Sequence, residues 1–224
     1  MSAADAETSV RAFDAAYYER CYRSYDLQNP PRKLLFYRRT IERLLPPGIP
    51  RRIHDVGCAF GAFLGSLGPE WEPFGSDVSE HAVEQARTRH PRVRFAVADP
   101  CEGPTFDGSF GVVTAFDVLE HVPDLDACAR SIQAQSAPGG LFVFVVPVYD
   151  GVTGPAIRML DRDPTHIHKW SRSRWLEWTS RRFEVVEWSG ILRYLLPWGH
   201  YLHLPTRLLR QHTPAILVAA RVAR

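Results

Sequence analysis

The hydrophobic positions of this chain change period several times, and each change marks an element. Val10, Phe13, Tyr17 and Cys21 recur at helical spacing, and Leu34, Leu35, Ile41, Leu44 and Leu45 do so again after the breaker Asn29-Pro30-Pro31. Pro46-Pro47-Gly48-Ile49-Pro50 then separates this helical cap, residues 1–50, from the rest. From Ile53 onward, short apolar runs alternate with amphipathic ones. The spacing predicts a strand over 53–56, a helix over 80–90 between the N-cap Ser79 and the stop Pro91, and a strand through Val93, Phe95 and Val97. It then predicts a buried strand over 110–116, a helix over 124–137 and a second buried strand over 141–146. Strands alternating with helices imply a parallel sheet covered on both faces.

Beyond residue 149 the pattern loosens. Residues 151–164 read as an irregular insertion, 171–180 as a helix, 183–188 as a strand and 215–222 as a final strand. Between the last two lies 192–211, rich in Leu, Tyr and Trp and punctuated by Pro197, Gly199 and Pro205. It is expected to hang over a ligand pocket or to serve an interface.

The chain is organised around the turn after the strand at Ile53, which reads Asp55-Val56-Gly57-Cys58-Ala59-Phe60-Gly61. Small residues there let the backbone approach a ligand, and the helix behind offers N–H groups to an anion. Asp77 closes the segment Pro73-Phe74-Gly75-Ser76-Asp77, 22 positions after Asp55. A carboxylate at that distance sits at the end of a second strand, where it can accept two ribose hydroxyls.

These residues carry a resemblance. The run from Asp55 to Gly61 resembles the D-x-G-x-G-x-G loop of class I S-adenosylmethionine-dependent methyltransferases, with Ala59 in place of the middle glycine. Gly75-Ser76-Asp77-Val78-Ser79 is similar to their second motif, and Val97-Ala98-Asp99-Pro100 to the acid that touches adenine. Phe116-Asp117-Val118-Leu119-Glu120-His121-Val122 resembles the fourth-strand motif, and Ala137-Pro138-Gly139-Gly140 the turn before the fifth strand. The resemblance runs in order over residues 44–224. It implies a Rossmann-like α/β fold: a seven-stranded, mostly parallel sheet with an antiparallel last strand, forming one globular unit over 51–224 behind the N-terminal helical cap. It also implies S-adenosylmethionine as cofactor, held by Asp55, Gly57, Cys58, Ala59, Gly61, Asp77, Val78, Asp99, Phe116 and Asp117. The cap tyrosines Tyr17, Tyr18, Tyr22 and Tyr25 would fold over cofactor and substrate, or pack the cap onto the sheet.

Methyl transfer from a sulfonium is an in-line displacement that asks mainly for positioning, but a hydroxyl acceptor must also lose a proton. His121, His166 and His168 lie in loops that the fold brings toward the methyl group, and His166 is favoured because D-P-T-H recurs in the resembling family. Asp117, Glu120 and His121, with a later histidine, are similar to the E-x-x-E-H…H arrangement by which some O-methyltransferases hold a divalent cation. The same loop is common in members without a metal, and none is expected here.

Composition narrows the class. With 224 residues, 45% of them hydrophobic and 23% charged, the chain suits one soluble α/β unit. No 18-residue apolar window and no secretory-type start are present, and four scattered cysteines form no C-x-x-C pair, so a cytoplasmic enzyme is expected. Residues 158–224 carry 12 Lys/Arg against 5 Asp/Glu, either a solvated basic face or a patch for an anionic substrate, nucleic acid or membrane surface. Tyr194, Trp198 and Tyr201 would help close a partly apolar pocket, so the expected acceptor is a small organic molecule, methylated on O or N in secondary metabolism. RNA or protein methylation is the alternative, although no nucleic-acid module is visible. A cofactor-binding domain without turnover is a further reading, whereas G-x-A-x-G behind a 50-residue cap argues against a nicotinamide dehydrogenase. The oligomeric state is left open, a homodimer being one option.

Overall fold

A computed structural model describes residues 13, 16–18, 24–152, 154–161, 163–196 and 200–222. Val10, Cys21, Tyr22, Pro197, Trp198 and Gly199 lie outside the described residues. In the cap, helices α1 (Tyr25–Gln28) and α2 (Pro31–Leu44) precede strand β1 (Arg52–Val56), the single turn α3 (Ala62–Gly65), β2 (Glu72–Asp77), α4 (Glu80–Arg89), β3 (Arg94–Val97) and β4 (Phe110–Phe116). A 3-10 turn at Leu119–His121 leads to α5 (Leu125–Gln135), β5 (Ser136–Pro147), α6 (Gly154–Leu160), α7 (Arg172–Ser180), β6 (Glu184–Leu196), β7 (His200–Thr206) and β8 (Ala215–Arg221).

The helix starts follow local chemistry. Pro31 opens α2 at a position where a missing N–H costs nothing, and the Ser79 hydroxyl accepts from Ala82 N to cap α4. Asp124 caps α5 through the N–H groups of Asp126 and Ala127.

The strands form one sheet in the order β3-β2-β1-β4-β5-β8-β6-β7. Pairs from β3 through β5 are parallel, and β8 lies antiparallel between β5 and β6. Side-chain alternation splits the core in two. Phe142, Phe144 and Val146 of β5, with Ile216, Val218 and Ala220 of β8, face Cys128 and Ile132 of α5 and Trp175 and Trp178 of α7. Leu141, Val143 and Val145, with Leu217 and Ala219, face Tyr37 and Ile41 of α2, Phe63 and Leu64 of α3, and Val83 of α4. The result is a three-layer α/β/α arrangement with the groove at the carboxyl ends of β1, β2 and β4.

Several expectations need correction. The sheet has eight strands, not seven, because residues 192–211 are largely ordered pairing rather than a loose segment: Gly190–Leu196 of β6 pairs antiparallel with His200–Thr206 of β7. β8 pairs β6 only as far as Ile191, so the rest of this hairpin projects past the sheet toward the groove. The alternating Tyr, Leu and Arg residues there are a strand pattern that Pro197, Gly199 and Pro205 obscured. The insertion 151–164 contains the helix α6, and Ala137-Pro138-Gly139-Gly140 lies within β5, where the register against β4 shifts and Gly139 takes a φ of +75°. Among the described residues no helix is long and apolar enough to cross a membrane.

Candidate active site

Backbone geometry shapes the turn after β1. Gly57 has a φ of +68°, and a Cβ on it would come within 2.3 Å of a Val118 methyl, so only glycine fits. Ala59 also has a positive φ, +46°, and its methyl packs with Tyr17, Tyr18 and Phe60. Gly61 (φ +76°) starts α3 from behind the turn, its Cα facing Phe95 and His90, and does not line the groove. The helix behind is one turn long, and its first amide, Ala62 N, donates to Tyr25 Oη at 3.1 Å.

The groove has two lobes that share Tyr17, Gly57, Ala59, Asp117 and His121. Asp77 and Asp99 edge the first, with Val78, Ala98, Pro100, Val118 and Val122 as apolar walls. Asp77 accepts from Ala59 N (2.9 Å), Ser79 N (3.0 Å) and Tyr18 Oη (3.2 Å). Burial nevertheless holds its carboxyl above the usual range. Asp99 also caps its own turn by accepting from Cys101 N at 2.8 Å.

Asp55, Cys58, Phe116, Glu120, Asp163 and His166 line the second lobe, together with Lys33, Tyr37, Arg193 and Tyr201. Burial raises Asp55 to about 7 against a hydrogen bond from Thr114 Oγ1. Phe116 is stacked on Tyr37, ring centroids 4.3 Å apart. Asp117, in a left-handed conformation (φ +59°), pairs with the guanidinium of Arg193. Although burial opposes it, that arginine, with help from Lys33, holds the Asp117 carboxyl below its ordinary value.

The histidine wall is assembled by backbone. Ile167 N and His168 N donate to Glu120 O at 3.0 and 3.1 Å, zipping the 163–168 loop to the turn after β4. This brings the His121 and His166 rings to 4.7 Å between centroids. Thr165 Oγ1 donates to Asp163, so the His121 Nδ1 proton goes to Thr165 O (3.1 Å) and Oγ1 (2.9 Å), leaving Nε2 as the basic nitrogen. Burial, reinforced by His166, pushes His121 down to about 4. His166 Nδ1 lies 3.0 Å from Asp161 Oδ1 and 3.0 Å from Tyr149 Oη, which itself donates to Asp161 Oδ2 at 2.7 Å. Nδ1 therefore carries the proton of His166 as well, and Nε2, 4.0 Å from Asp163 Oδ2, is the basic nitrogen, His166 and Asp163 both lining the second lobe. Lys169 Nζ completes the cluster, 2.8 Å from Asp161 Oδ2.

His168 is placed elsewhere. Its Nε2 donates to Val122 O at 2.8 Å, its ring packs on Trp170, and it does not line the groove. Tyr201 lines the groove, whereas Tyr194, next to the inward Arg193, is 38% exposed and outside it. Among the described residues, Glu120, His121 and His166 each place a ligand atom within 4.8 Å of the others; Asp117 is not one of that set and pairs with Arg193 instead. Lys33, Tyr37, Asp161 and Arg193 escaped the sequence reading. Asp161 and Asp163 preceding His166 were a usable local signal, but nothing in the sequence links Arg193 to Asp117, 76 positions away.

The donor set fits an adenosine-bearing cofactor. Two carboxylates at the rim of an apolar slot can accept ribose hydroxyls and an exocyclic amine, while the bare backbone of Gly57 opens the way to the second lobe.

Comparison with known proteins agrees. The family model described as "Methyltransferase domain" matches residues 26–187. Trans-aconitate 2-methyltransferase of Methylobacterium radiotolerans is 31% identical over 52% of this chain and 45% of its own length. The 27-O-demethylrifamycin SV methyltransferase of Amycolatopsis mediterranei is 34% identical over 43% of this chain and 39% of its own length. The chain thus spans less than half the length of these relatives. Among solved structures, a Haloferax volcanii methyltransferase in complex with the Trm112 activator superposes with a TM-score of 0.70 at 18% identity, covering 92% of this chain and 96% of that one. The N-methyltransferase NodS of Bradyrhizobium japonicum, bound to S-adenosyl-L-homocysteine, gives 0.59 at 17% identity over 88% and 91%. With a family match over most of its length and the fold and groove to go with it, the chain belongs to the S-adenosylmethionine-dependent methyltransferases.

Proposed function

We propose that this chain methylates a hydroxyl of a small organic acceptor, with His166 as the proton acceptor. When bound, S-adenosylmethionine supplies an electrophilic methyl group. Asp77 and Asp99 would hold its adenosine and the Gly57 turn its amino-acid end. The observation that carries the reading is the His166–Asp161 contact at 3.0 Å, which fixes the tautomer and leaves Nε2 as the basic nitrogen of a residue that lines the groove. A nucleophile is activated by an oriented base of this kind. His121, held near 4, is a weak proton acceptor, and it suits positioning of the acceptor better than proton removal.

A small acceptor is favoured over RNA or protein because several basic residues of the second part of the chain are engaged locally. Lys169 pairs with Asp161, Arg172 with Asp150, Arg182 with Asp126, Arg193 with Asp117 and Arg207 with Glu187. These contacts describe a structural and solvated charge set, not an open phosphate-binding stripe. The relatives named for trans-aconitate and rifamycin methylation point the same way. A methyl-transfer screen against phenols, hydroxy acids, amines and short RNAs tests the reading; turnover on RNA with steep salt dependence, and on nothing else, would overturn it.

A further inference from the structure

We propose that Lys33, Tyr37, Arg193 and Tyr201 form a carboxylate-binding subsite in the second lobe, on the side away from Asp77. The inference rests on the cofactor reading above only for one of its two possible ligands. Lys33 comes from α2 and is 7% exposed. Its Nζ donates to Gln28 O at 3.2 Å and lies 5.4 Å from the Tyr201 ring centre, and among the described residues it has no carboxylate in ion-pair contact. Tyr37, one helical turn further on and 1% exposed, buries a hydroxyl that has no hydrogen-bond partner among the described residues. Both residues line the groove, as do Arg193 of β6 and Tyr201 of β7.

Buried polar groups are normally paired, and a buried cation more so. Here an ammonium and a phenol hydroxyl belong to residues that line the same lobe, with donors to spare, beside the Arg193 guanidinium, which pairs with Asp117 through Nη1. Burial lowers Lys33 to about 8, partly opposed by Asp117, so the amine is cationic at neutral pH and an anion in contact would hold it so. The same surroundings are felt by His203 behind the wall, where Lys33 and Arg193 add to burial in keeping the imidazole neutral. A compact planar anion able to accept from an ammonium, a phenol and a guanidinium satisfies the set, and a carboxylate has that shape and charge.

A carboxylate could come from the amino-acid tail of the cofactor or from the acceptor. The test is calorimetric titration of wild type, Lys33→Met and Tyr37→Phe with S-adenosylhomocysteine, with 5′-methylthioadenosine, which lacks the tail, and with malonate on protein already loaded with either nucleoside. A cofactor carboxylate predicts that Lys33→Met weakens S-adenosylhomocysteine about 10-fold or more while 5′-methylthioadenosine stays within about threefold. Malonate would then bind only the protein loaded with 5′-methylthioadenosine. An acceptor carboxylate predicts unchanged nucleosides and Lys33-dependent malonate binding to the protein loaded with S-adenosylhomocysteine. Tyr37→Phe removes one oxygen, so it keeps the test alive should Lys33→Met fail to fold. Folded variants that bind all three probes as wild type does would overturn the proposal. Wild type that binds neither nucleoside but takes malonate through Lys33 would overturn the cofactor reading and leave this one standing.

Discussion

His166 Nδ1 stands 3.0 Å from Asp161 Oδ1, and the same carboxylate accepts from Tyr149 Oη and Lys169 Nζ. The two residues are five positions apart, both in the segment that follows α6, and the contact sets which ring nitrogen can take a proton. His166→Ala is expected to lower turnover roughly 10²- to 10⁴-fold with cofactor affinity nearly unchanged. Asp161→Asn should lower turnover by about 10- to 10³-fold and leave KM close to wild type, because it releases the tautomer without emptying the groove. Steady-state kinetics on both variants, with calorimetry for S-adenosylhomocysteine, checks this. Wild-type turnover in His166→Ala would point to an amine acceptor or to catalysis by positioning alone.

The Gly57 turn gives a contrast within three residues. Gly57→Ala places a methyl 2.3 Å from Val118 at a φ of +68°. Left-handed strain and overpacking together should cost about 2–4 kcal/mol in thermal or denaturant unfolding. Ala59→Gly should lie within about 1 kcal/mol of wild type, because relief of a φ of +46° is offset by lost packing and a more flexible unfolded chain. Equal effects at both positions would refute the steric account of the turn.

Asp77 collects three donors in a buried site, so its removal is expected to be felt at once by the cofactor. Asp77→Ala should weaken S-adenosylhomocysteine by about 1.5–3 kcal/mol, the size of a lost hydrogen bond to a charged group. Calorimetry that shows unchanged affinity would remove Asp77 from the ribose site.

What the sequence revealed and what it hid follow one rule: local signals were legible and long-range ones were not. Gly57, Asp77, Asp99 and the strand over Phe110–Phe116 announce themselves through spacing, because turn, strand and helix chemistry act over a few residues. The cap of α4 at Ser79 is of the same kind. The β6–β7 hairpin was missed because its prolines and glycine read as breaks, although pairing between Arg193 and His203 is regular. His168 was a candidate base behind the favoured His166, and beside the backbone bonds at Glu120 O its ring goes to Val122 O while His166 lines the groove. Lys33 and Arg193 gave no local signal, because only the folded chain buries the first and carries the second over to Asp117.

Buried histidines contribute a loss of stability at acid pH. His54 is 1% exposed, held between Gln135 and Ser76, and burial lowers it to about 4 despite the hydrogen bond to Gln135. It is neutral when folded, whereas in the unfolded chain it takes up a proton near 6.5. The stabilisation is therefore complete above about pH 6.5 and is lost as pH falls toward 4, at up to roughly 1.4 kcal/mol per pH unit for this one residue. His121 adds a loss of the same sign. His54→Phe should be less stable at pH 7.5 yet show a flatter pH dependence by about one proton. Denaturant unfolding at several pH values checks it, and a parallel pair of curves would count against the assignment.

Glu120 separates proton chemistry from metal chemistry. Burial, with Asp117 nearby, pushes its carboxyl well above the usual range, and its Oε2 has no hydrogen-bond partner among the described residues. A divalent cation would need this oxygen ionised, and it would want a second carboxylate that Arg193 already holds at Asp117. A protonated Glu120 beside His121 and His166 is instead a neutral hydrogen-bond donor, a role that glutamine can fill. Glu120→Gln is thus expected to keep turnover within about threefold, and treatment of wild type with a chelator to leave it unchanged. A loss of 100-fold or more in the glutamine variant, together with chelator inhibition reversed by one divalent cation, would show that Glu120, His121 and His166 act as ligands.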